Sequence, residues 1–405
     1  MAGDQIIELT SLIETAKILN SSLDYRFILN HIMLASMGKL AVSKSAAVVN
    51  LPSSPKHGEK FLKVTKGIKL ENGTPAKLLS LDLEGPVEAA SIQDSLAREL
   101  VGAGVNRIFP IRSSHRLFGY LFIGKKLLGG EFTPAEIEFV STLCNIATMA
   151  IDNAGLFEES LAKQRLEEEL NLAHTIQEKL LPKEMPNVPW CQVDTFHIPT
   201  KQVGGDYFDV IRLGEFSLCV AIADVSGKGF PAALLMANLQ SAFRALVAAQ
   251  LPLGEITQRL NNIVYENTDS DKFITFFAAI YDSAANCLSY VNAGHNYPFL
   301  VKRGEEICRL DKGGLMLGVM KDIQYQTGQE KIISGDLLYL FTDGVSEALN
   351  SNGEEFSEER LERALRLNST FSASEILGIV RKEIALFVGD SPQSDDITQV
   401  CLKFL

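Results

Sequence analysis

A single helical stripe, longer than one globular core can use, sets the architecture of this chain. From Phe139, apolar residues recur at 143, 146, 150, 154, 157 and 161, in steps of three and four. The stripe stutters near Arg165 and resumes at Leu166, Leu170, Ala173, Ile176 and Leu180. Thr133 reads as its N-cap, Pro134 suits the first helical position, and Glu136 follows three residues after the cap. Pro182 stops it. After residue 155 the other faces are charged (EESLAKQRLEEEL), the pattern of a coiled-coil connector. The alternative is one helix packed on its own domain. With 405 residues there is room for a domain on either side. The expected division is an N-terminal domain over 1–155 with a leading helix, a linker helix over 156–185, and a C-terminal domain over 186–405.

Ahead of the linker, Ile6, Leu9, Ile13, Ala16 and Leu19 keep helical spacing, and a second helical stripe follows Asp24 with Phe27, Ile28, His31, Ile32 and Ala35. Ser45–Leu51 reads as a strand, residues 52–100 give no clear pattern, and VNRIFPI and LFGYLFIGKK flank a polar turn as a hairpin. Beyond Pro189 hairpins dominate: DYFDVIRL with FSLCVAIAD, ITFFAAIYD with CLSYVNAG, and a third over PFLVKRGEEICRL. DLLYLFTD and DDITQVCLKF read as further strands, and PAALLMANLQSAFRALVAA, 357–367 and 373–388 as helices. Successive hairpins with helices set apart describe an α+β layered domain.

Composition removes several function classes. No stretch approaches the ~20 uninterrupted apolar residues of a membrane helix. A formal charge of −12 disfavours nucleic acid as a partner, since a phosphate backbone calls for a basic face. MAGDQIIELT carries Asp4 and no basic run, so no signal peptide is expected. Six cysteines are scattered without a CxxC pair, which argues against a zinc knuckle or disulfide framework and fits a cytoplasmic protein.

Four apolar-flanked aspartates carry the chemistry: Asp206 in GGDYFD, Asp224 in DVSGKG, Asp343 in FTDGVSEA and Asp395 in QSDDITQV. Asp206 lies eight residues before Gly214 and Asp224 nine after Glu215, so the hairpin sets them opposite each other to within one residue. Asp343 is expected to close its strand and Asp395 to open its own. If those strands are antiparallel neighbours, all four acids can meet on one rim. Each taken singly reads more readily as a turn aspartate; four in compatible geometry favour the site. Together they would repel one another, and oxygen-seeking Mg²⁺ or Mn²⁺ would relieve the repulsion. A pair of such ions can activate a bridging water and clamp a phosphoryl group. Glycines 204, 205, 227, 229 and 344 would allow close backbone approach.

GGDYFD, DVSGKG, TFFAAIYD, NAGHNYP, LYLFTDGVSEA and SDDITQV, in that order, resemble the metal-dependent protein phosphatase (PPM) family in its bacterial SpoIIE-like branch, over about 186–405. The resemblance implies a β-sandwich flanked by helices, with two Mn²⁺ or Mg²⁺ ions at one end. It implies that Asp224 bridges the ions, the Val225 carbonyl completes one coordination sphere, Asp343 and Asp395 hold the second ion, and Asp206 serves the first directly or through water. Where eukaryotic members have a proton-donating histidine, this chain has Ser226. His295 is the histidine inside a family motif, and its expected role is a hydrogen-bonded turn residue.

Residues 20–155 are similar to a GAF sensor domain, on the VNRIFPI/LFGYLFIGKK hairpin and the helix after it. The cyclic-nucleotide pattern NKxxF…DE is missing, and Cys144 sits on the helical stripe, as a core residue would. The resemblances together imply a serine/threonine phosphoprotein phosphatase with a STAS-type anti-sigma-factor antagonist as substrate and a signal at the GAF domain; the long apolar stripe of the linker, which cannot bury itself alone, points to a homodimer. Two other readings are a pseudophosphatase that binds a signalling partner and a hydrolase of small phosphoesters.

Overall fold

The computed structural model describes residues 2–51, 61–70, 77, 82–92, 95–268, 272–303 and 306–405. Much of the unpatterned stretch 52–100 lies outside them. The chain forms two compact units, residues 1–166 and 167–405.

The first unit opens with helices α1 (Ala2–Asn20) and α2 (Tyr25–Leu40). Asp24 caps α2, its carboxylate accepting from the backbone of Arg26 and Phe27. The buried face of α2 is Tyr25, Ile28, Leu29, Ile32, Met33 and Met37, whereas Phe27 is exposed, so the true stripe is rotated from the expected one. On α1, Leu19 is buried and Ile13 exposed. Strands β1 (Ser45–Asn50), β2 (Phe61–Lys66) and β3 (Val87–Glu88), helix α3 (Ser95–Gly102), and strands β4 (Val105–Arg112) and β5 (Leu117–Gly124) follow. The sheet order is β2-β1-β5-β4-β3, antiparallel at each pairing. Period-two alternation supplies both faces of β1. Ala47 and Val49 join α2 and residues 139–154 of the long helix that follows in one core, while Ala46 and Val48 join Leu96 and Leu100 of α3 in another. Gly119 is required where β5 crosses β1, because a Cβ there would lie 1.9 Å from the Val48 carbonyl oxygen.

Helix α4 (Pro134–Leu180) runs from the first unit into the second. Its expected capping box is present: the Glu136 carboxylate accepts from Thr133 N–H at 2.7 Å, and Thr133 Oγ1 accepts from Glu136 N–H at 3.3 Å. Phe139, Leu143, Ala150 and Ala154 are buried, whereas Phe157, Leu166 and Ile176 are each more than half exposed.

The second unit is a two-sheet sandwich with helices outside. Its elements are β6 (Cys191–Ile198), β7 (Tyr207–Arg212), β8 (Ser217–Val225), α5 (Phe230–Ala248), α6 (Leu253–Asn267), β9 (Ile274–Asp282), β10 (Cys287–Ala293), β11 (Phe299–Val301), β12 (Ile307–Arg309), β13 (Gly313–Gly314), β14 (Gly328–Lys331), β15 (Leu337–Phe341), α7 (Asp343–Ser346), α8 (Glu358–Asn368), α9 (Ala373–Val388) and β16 (Ile397–Phe404). One sheet runs β13-β10-β9-β8-β7 with β14 also on β10, the other β12-β11-β15-β16-β6. Between them pack Phe208, Val220, Ile222 and Phe277 from the first sheet and Leu300, Leu338, Leu340 and Val400 from the second. Helices α5 and α6 cover the first sheet, α8 and α9 the second. Helix α5 has the length and composition to cross a membrane, but Met236, Leu239, Phe243 and Val247 face the sheet as core. Strand β6 and helix α6 carry weak sequence signals: β6 alternates weakly, and the apolar face of α6 is diluted by Asn and Gln.

Candidate active site

Backbone register brings the acids together. In the β7–β8 hairpin Tyr207 faces Ala223, so one further step sets Asp206 opposite Asp224. In the other sheet β15 and β16 are antiparallel, with Phe341 facing Gln399, so the exit of β15 and the approach to β16 share an end. Asp343 and Asp395 do not lie on the strands themselves, contrary to expectation. Strand β15 ends at Phe341 and Asp343 starts α7, while β16 begins at Ile397. Stepping off the ladder frees each carboxylate from the pleat, which would otherwise fix its face. Gly344 makes the junction possible, since a Cβ there would stand 2.0 Å from the Asp396 carbonyl oxygen.

The two sheets are tied at this rim by Asp206. It is buried, and its Oδ2 accepts from Thr342 Oγ1 at 2.8 Å and from Thr398 Oγ1. Because the Thr398 hydroxyl gives its proton to Asp206, His197 donates through Nδ1 to that hydroxyl at 2.9 Å. Burial, and then the nearby charge of Asp224, hold the Asp206 carboxyl well above the ordinary carboxylate range. Asp224 is pushed up to about 7, by burial first and then by Asp343, Asp395 and Asp396. Asp343 is raised by burial and Asp395. The compensating cation is Lys228 of DVSGKG, whose Nζ lies 2.7 Å from Asp395 Oδ2 and donates to the Ser394 carbonyl at 2.7 Å.

Several site residues gave no signal that the sequence reading used. Asp396, next to the chosen Asp395, is buried and organises the GGD loop, accepting from Thr200 N–H at 2.7 Å and Gly205 N–H at 2.8 Å. Its acidity was visible in SDDITQV, but which of two adjacent aspartates faces the rim is set by the turn. Gln177 of α4 clasps the same loop from the other side. Its Nε2 donates to the Gly204 carbonyl at 2.7 Å, and Gly204 N–H donates to its Oε1 at 3.1 Å. The stripe pointed to Ile176; the buried neighbour is Gln177.

Ser226 is a structural residue of its loop. Its hydroxyl accepts from Phe273 N–H at 2.9 Å and its N–H donates to the Phe273 carbonyl at 3.0 Å. His295 is buried, donates through Nε2 to the Phe341 carbonyl at 3.1 Å, and meets Thr275 Oγ1 at 2.9 Å through Nδ1. Burial lowers its pKa to about 4, so it is neutral at pH 7 with both nitrogens engaged. That is the turn role expected of it. The Val225 carbonyl oxygen faces Gly205, where a Cβ would approach to 3.0 Å.

Among the described residues, no three acidic, imidazole or thiol side chains already surround one point at ligating distance. The donor set still fits hard divalent cations. It is all oxygen, and it carries several carboxylates that raise one another's pKa, with Lys228 offsetting part of their charge. Asp206, Asp224, Asp343, Asp395 and the Val225 carbonyl could hold such ions.

The family described as stage II sporulation protein E (SpoIIE) matches residues 214–405. Phosphoserine phosphatase RsbU of Bacillus subtilis (strain 168) is 31% identical over 243 residues, covering 60% of this chain and 71% of RsbU. Protein IcfG of Synechocystis sp. is 31% identical over 263 residues, covering 58% of this chain and 41% of IcfG, so the chain spans less than half of that relative. The SiaA-PP2C domain of Pseudomonas aeruginosa has a TM-score of 0.53 at 22% identity, covering 60% of this chain and 99% of that domain, a likeness of fold. With the match to RsbU reaching across 71% of that protein, the chain belongs to the SpoIIE family of protein serine/threonine phosphatases.

Proposed function

We propose that the C-terminal unit removes phosphate from serine or threonine of a protein, using two Mn²⁺ or Mg²⁺ ions held by Asp206, Asp224, Asp343, Asp395 and the Val225 carbonyl. The observation that carries this is the convergence of acids from two sheets on one rim, where burial and neighbouring carboxylates raise the pKa of Asp206, Asp224 and Asp343. When bound, such ions supply charge to a phosphoryl group and acidify water. The residues of the chain do the rest. Thr342 and Thr398 fix the Asp206 carboxylate, Asp396 holds the GGD loop against the rim, and Lys228 neutralises part of the charge at Asp395.

Phosphate release from a phosphoserine protein is expected to require added Mn²⁺ or Mg²⁺ and to stop in excess chelator. Full turnover after exhaustive chelation would refute the two-metal site. Lack of turnover on every phosphoprotein with both ions present would instead favour the pseudophosphatase.

The substrate proposed is a phosphorylated STAS-type anti-sigma-factor antagonist in a cytoplasmic partner-switching pathway. The SpoIIE family match and the likeness to a phosphoserine phosphatase support this reading. The first unit, residues 1–155 in the expected division, is proposed as a GAF-like sensor, and 156–185 as a coiled-coil linker that pairs two copies. Leu156, Phe157, Leu166, Leu172 and Ile176 are exposed along α4, and apolar side chains in that number call for a partner helix. Gln177 supplies the physical route from linker to site, because it bonds the Gly204 backbone two residues before Asp206. Leu170→Glu or Ile176→Glu is expected to lower dimer affinity and change the rate together, read by light scattering over a dilution series beside the phosphatase assay. A monomeric wild type, or a disrupted dimer with unchanged kinetics, would make the linker a passive tether.

A further inference from the structure

A groove of about 520 Å³ opens beside the acidic rim, between α9, the β6 and β16 strands and the 391–394 turn. Its walls are apolar, with Ile198, Ala348, Leu349, Ala385 and Val388 among them. It adjoins the acidic rim, since Gly344 and Ser394, the chain neighbours of Asp343 and Asp395, line it. Three features go beyond an ordinary surface cleft. First, Gln399 in its wall is fully buried and its Nε2 has no hydrogen-bond partner, while its Oε1 accepts from Tyr339 at 2.8 Å. An unpartnered buried amide is costly unless an acceptor arrives to meet it. Second, the edge is cationic. Arg381 lies over the Phe196 ring at 3.7 Å from its centroid, and Lys382 is beside it in sequence, on a chain whose net charge is −12. Third, Gly378 occupies the middle of α9 and lines the groove, and a Cβ there would touch nothing within 4 Å. Glycine is a poor helix former, and packing does not demand it here, so the open space is what the residue preserves.

We propose that this groove is the subsite for the polypeptide flanking the phosphorylated residue. It seats one bulky aliphatic side chain of the phosphoprotein, offers Gln399 Nε2 to a backbone carbonyl of that segment, and meets an acidic side chain with Arg381 and Lys382. The proposal rests on the reading of the rim as a phosphomonoester site. It adds a specificity that the family motifs do not carry: a phosphoserine flanked by an aliphatic and an acidic residue.

The test is binding, which needs no turnover. Fluorescein-labelled peptides carry a non-hydrolysable phosphonate analogue of phosphoserine, one glutamate or a glutamine in its place, and leucine placed at each flanking position in turn against glycine. With Mn²⁺ present, wild type is expected to bind one leucine position about tenfold more tightly than its glycine counterpart, the gain that burying one leucine corresponds to. Gly378→Phe and Ala385→Trp should lose that preference, and the double change Arg381→Glu, Lys382→Glu should lose the preference for glutamate. Gly378→Ala, a control for folding, should keep the preference and melt at a higher temperature. Circular dichroism checks that Gly378→Phe is folded. Equal binding of all peptides by wild type, or a leucine preference retained in folded Gly378→Phe, would overturn the proposal. If wild type hydrolyses no phosphoester, the catalytic reading fails, and the peptide comparison still decides the groove.

Discussion

Asp224→Asn is expected to lower Mn²⁺-dependent phosphate release by about 10³-fold, the several kcal/mol of electrostatic stabilisation that a bridging carboxylate secures. The same substitution should leave the thermal midpoint in chelator unchanged or higher. Asp224 is costly to the fold for the reason that suits it to bind cations. Its carboxylate is held at about 7 by burial and by Asp343, Asp395 and Asp396. The unfolded chain releases this proton near pH 4 and the folded protein near 7. Between those values the folded state binds more protons, so stability falls as pH rises. The cost is absent below about pH 4 and complete above about pH 7. In chelator, the wild-type midpoint should therefore drop across that window more than that of Asp224→Asn. Added Mn²⁺ should raise the wild-type midpoint and barely move the variant. Wild-type rates in Asp224→Asn would remove it from the centre of the site.

Arg244→Ala is expected to destabilise the C-terminal unit by about 2–3 kcal/mol, at or below the lower end of the ~3–5 kcal/mol that orphaning a fully buried charge costs. The partner is Asp209, fully buried on β7, with Arg244 Nε at 2.6 Å and Nη2 at 2.9 Å. The Arg244 side chain is 47% exposed, so water replaces part of what is lost and the cost stays below that of a fully enclosed pair. Tyr207 Oη, donating at 2.7 Å, and Val210 N–H at 2.9 Å continue to serve the carboxylate. Urea denaturation should show a lower midpoint with an unchanged slope. Adding Asp209→Asn to Arg244→Ala should recover part of the loss, because the buried charge goes with it. A single variant as stable as wild type would mean that Arg244 adds nothing Tyr207 and water do not already provide.

Much of this protein was legible in one dimension because its signals are local. Thr133, Pro134 and Glu136 begin α4 by backbone chemistry confined to one turn, and they did so in the structure. The β7–β8 hairpin set Asp206 against Asp224 because residue numbers across a ladder sum to a constant. Antiparallel pairing of β15 with β16 brought Asp343 and Asp395 to one end once the strands were neighbours, which the sequence could pose only as a condition. The rest depended on distant segments meeting. Asp396 rather than its neighbour binds the GGD loop because the turn before β16 faces Gly205, almost two hundred residues earlier in the chain. Gln177 is the docked residue of the linker because the Gly204 backbone offers both a donor and an acceptor, and the apolar stripe contains no hint of that demand. Lys228 answers the charge of Asp395 across the same span. Periodicity and capping are properties of consecutive residues, so sequence alone determined the start of α4, the β7–β8 hairpin and the acids that hairpin presents. Which polar groups satisfy one another is a property of contact, and only the tertiary structure decided it.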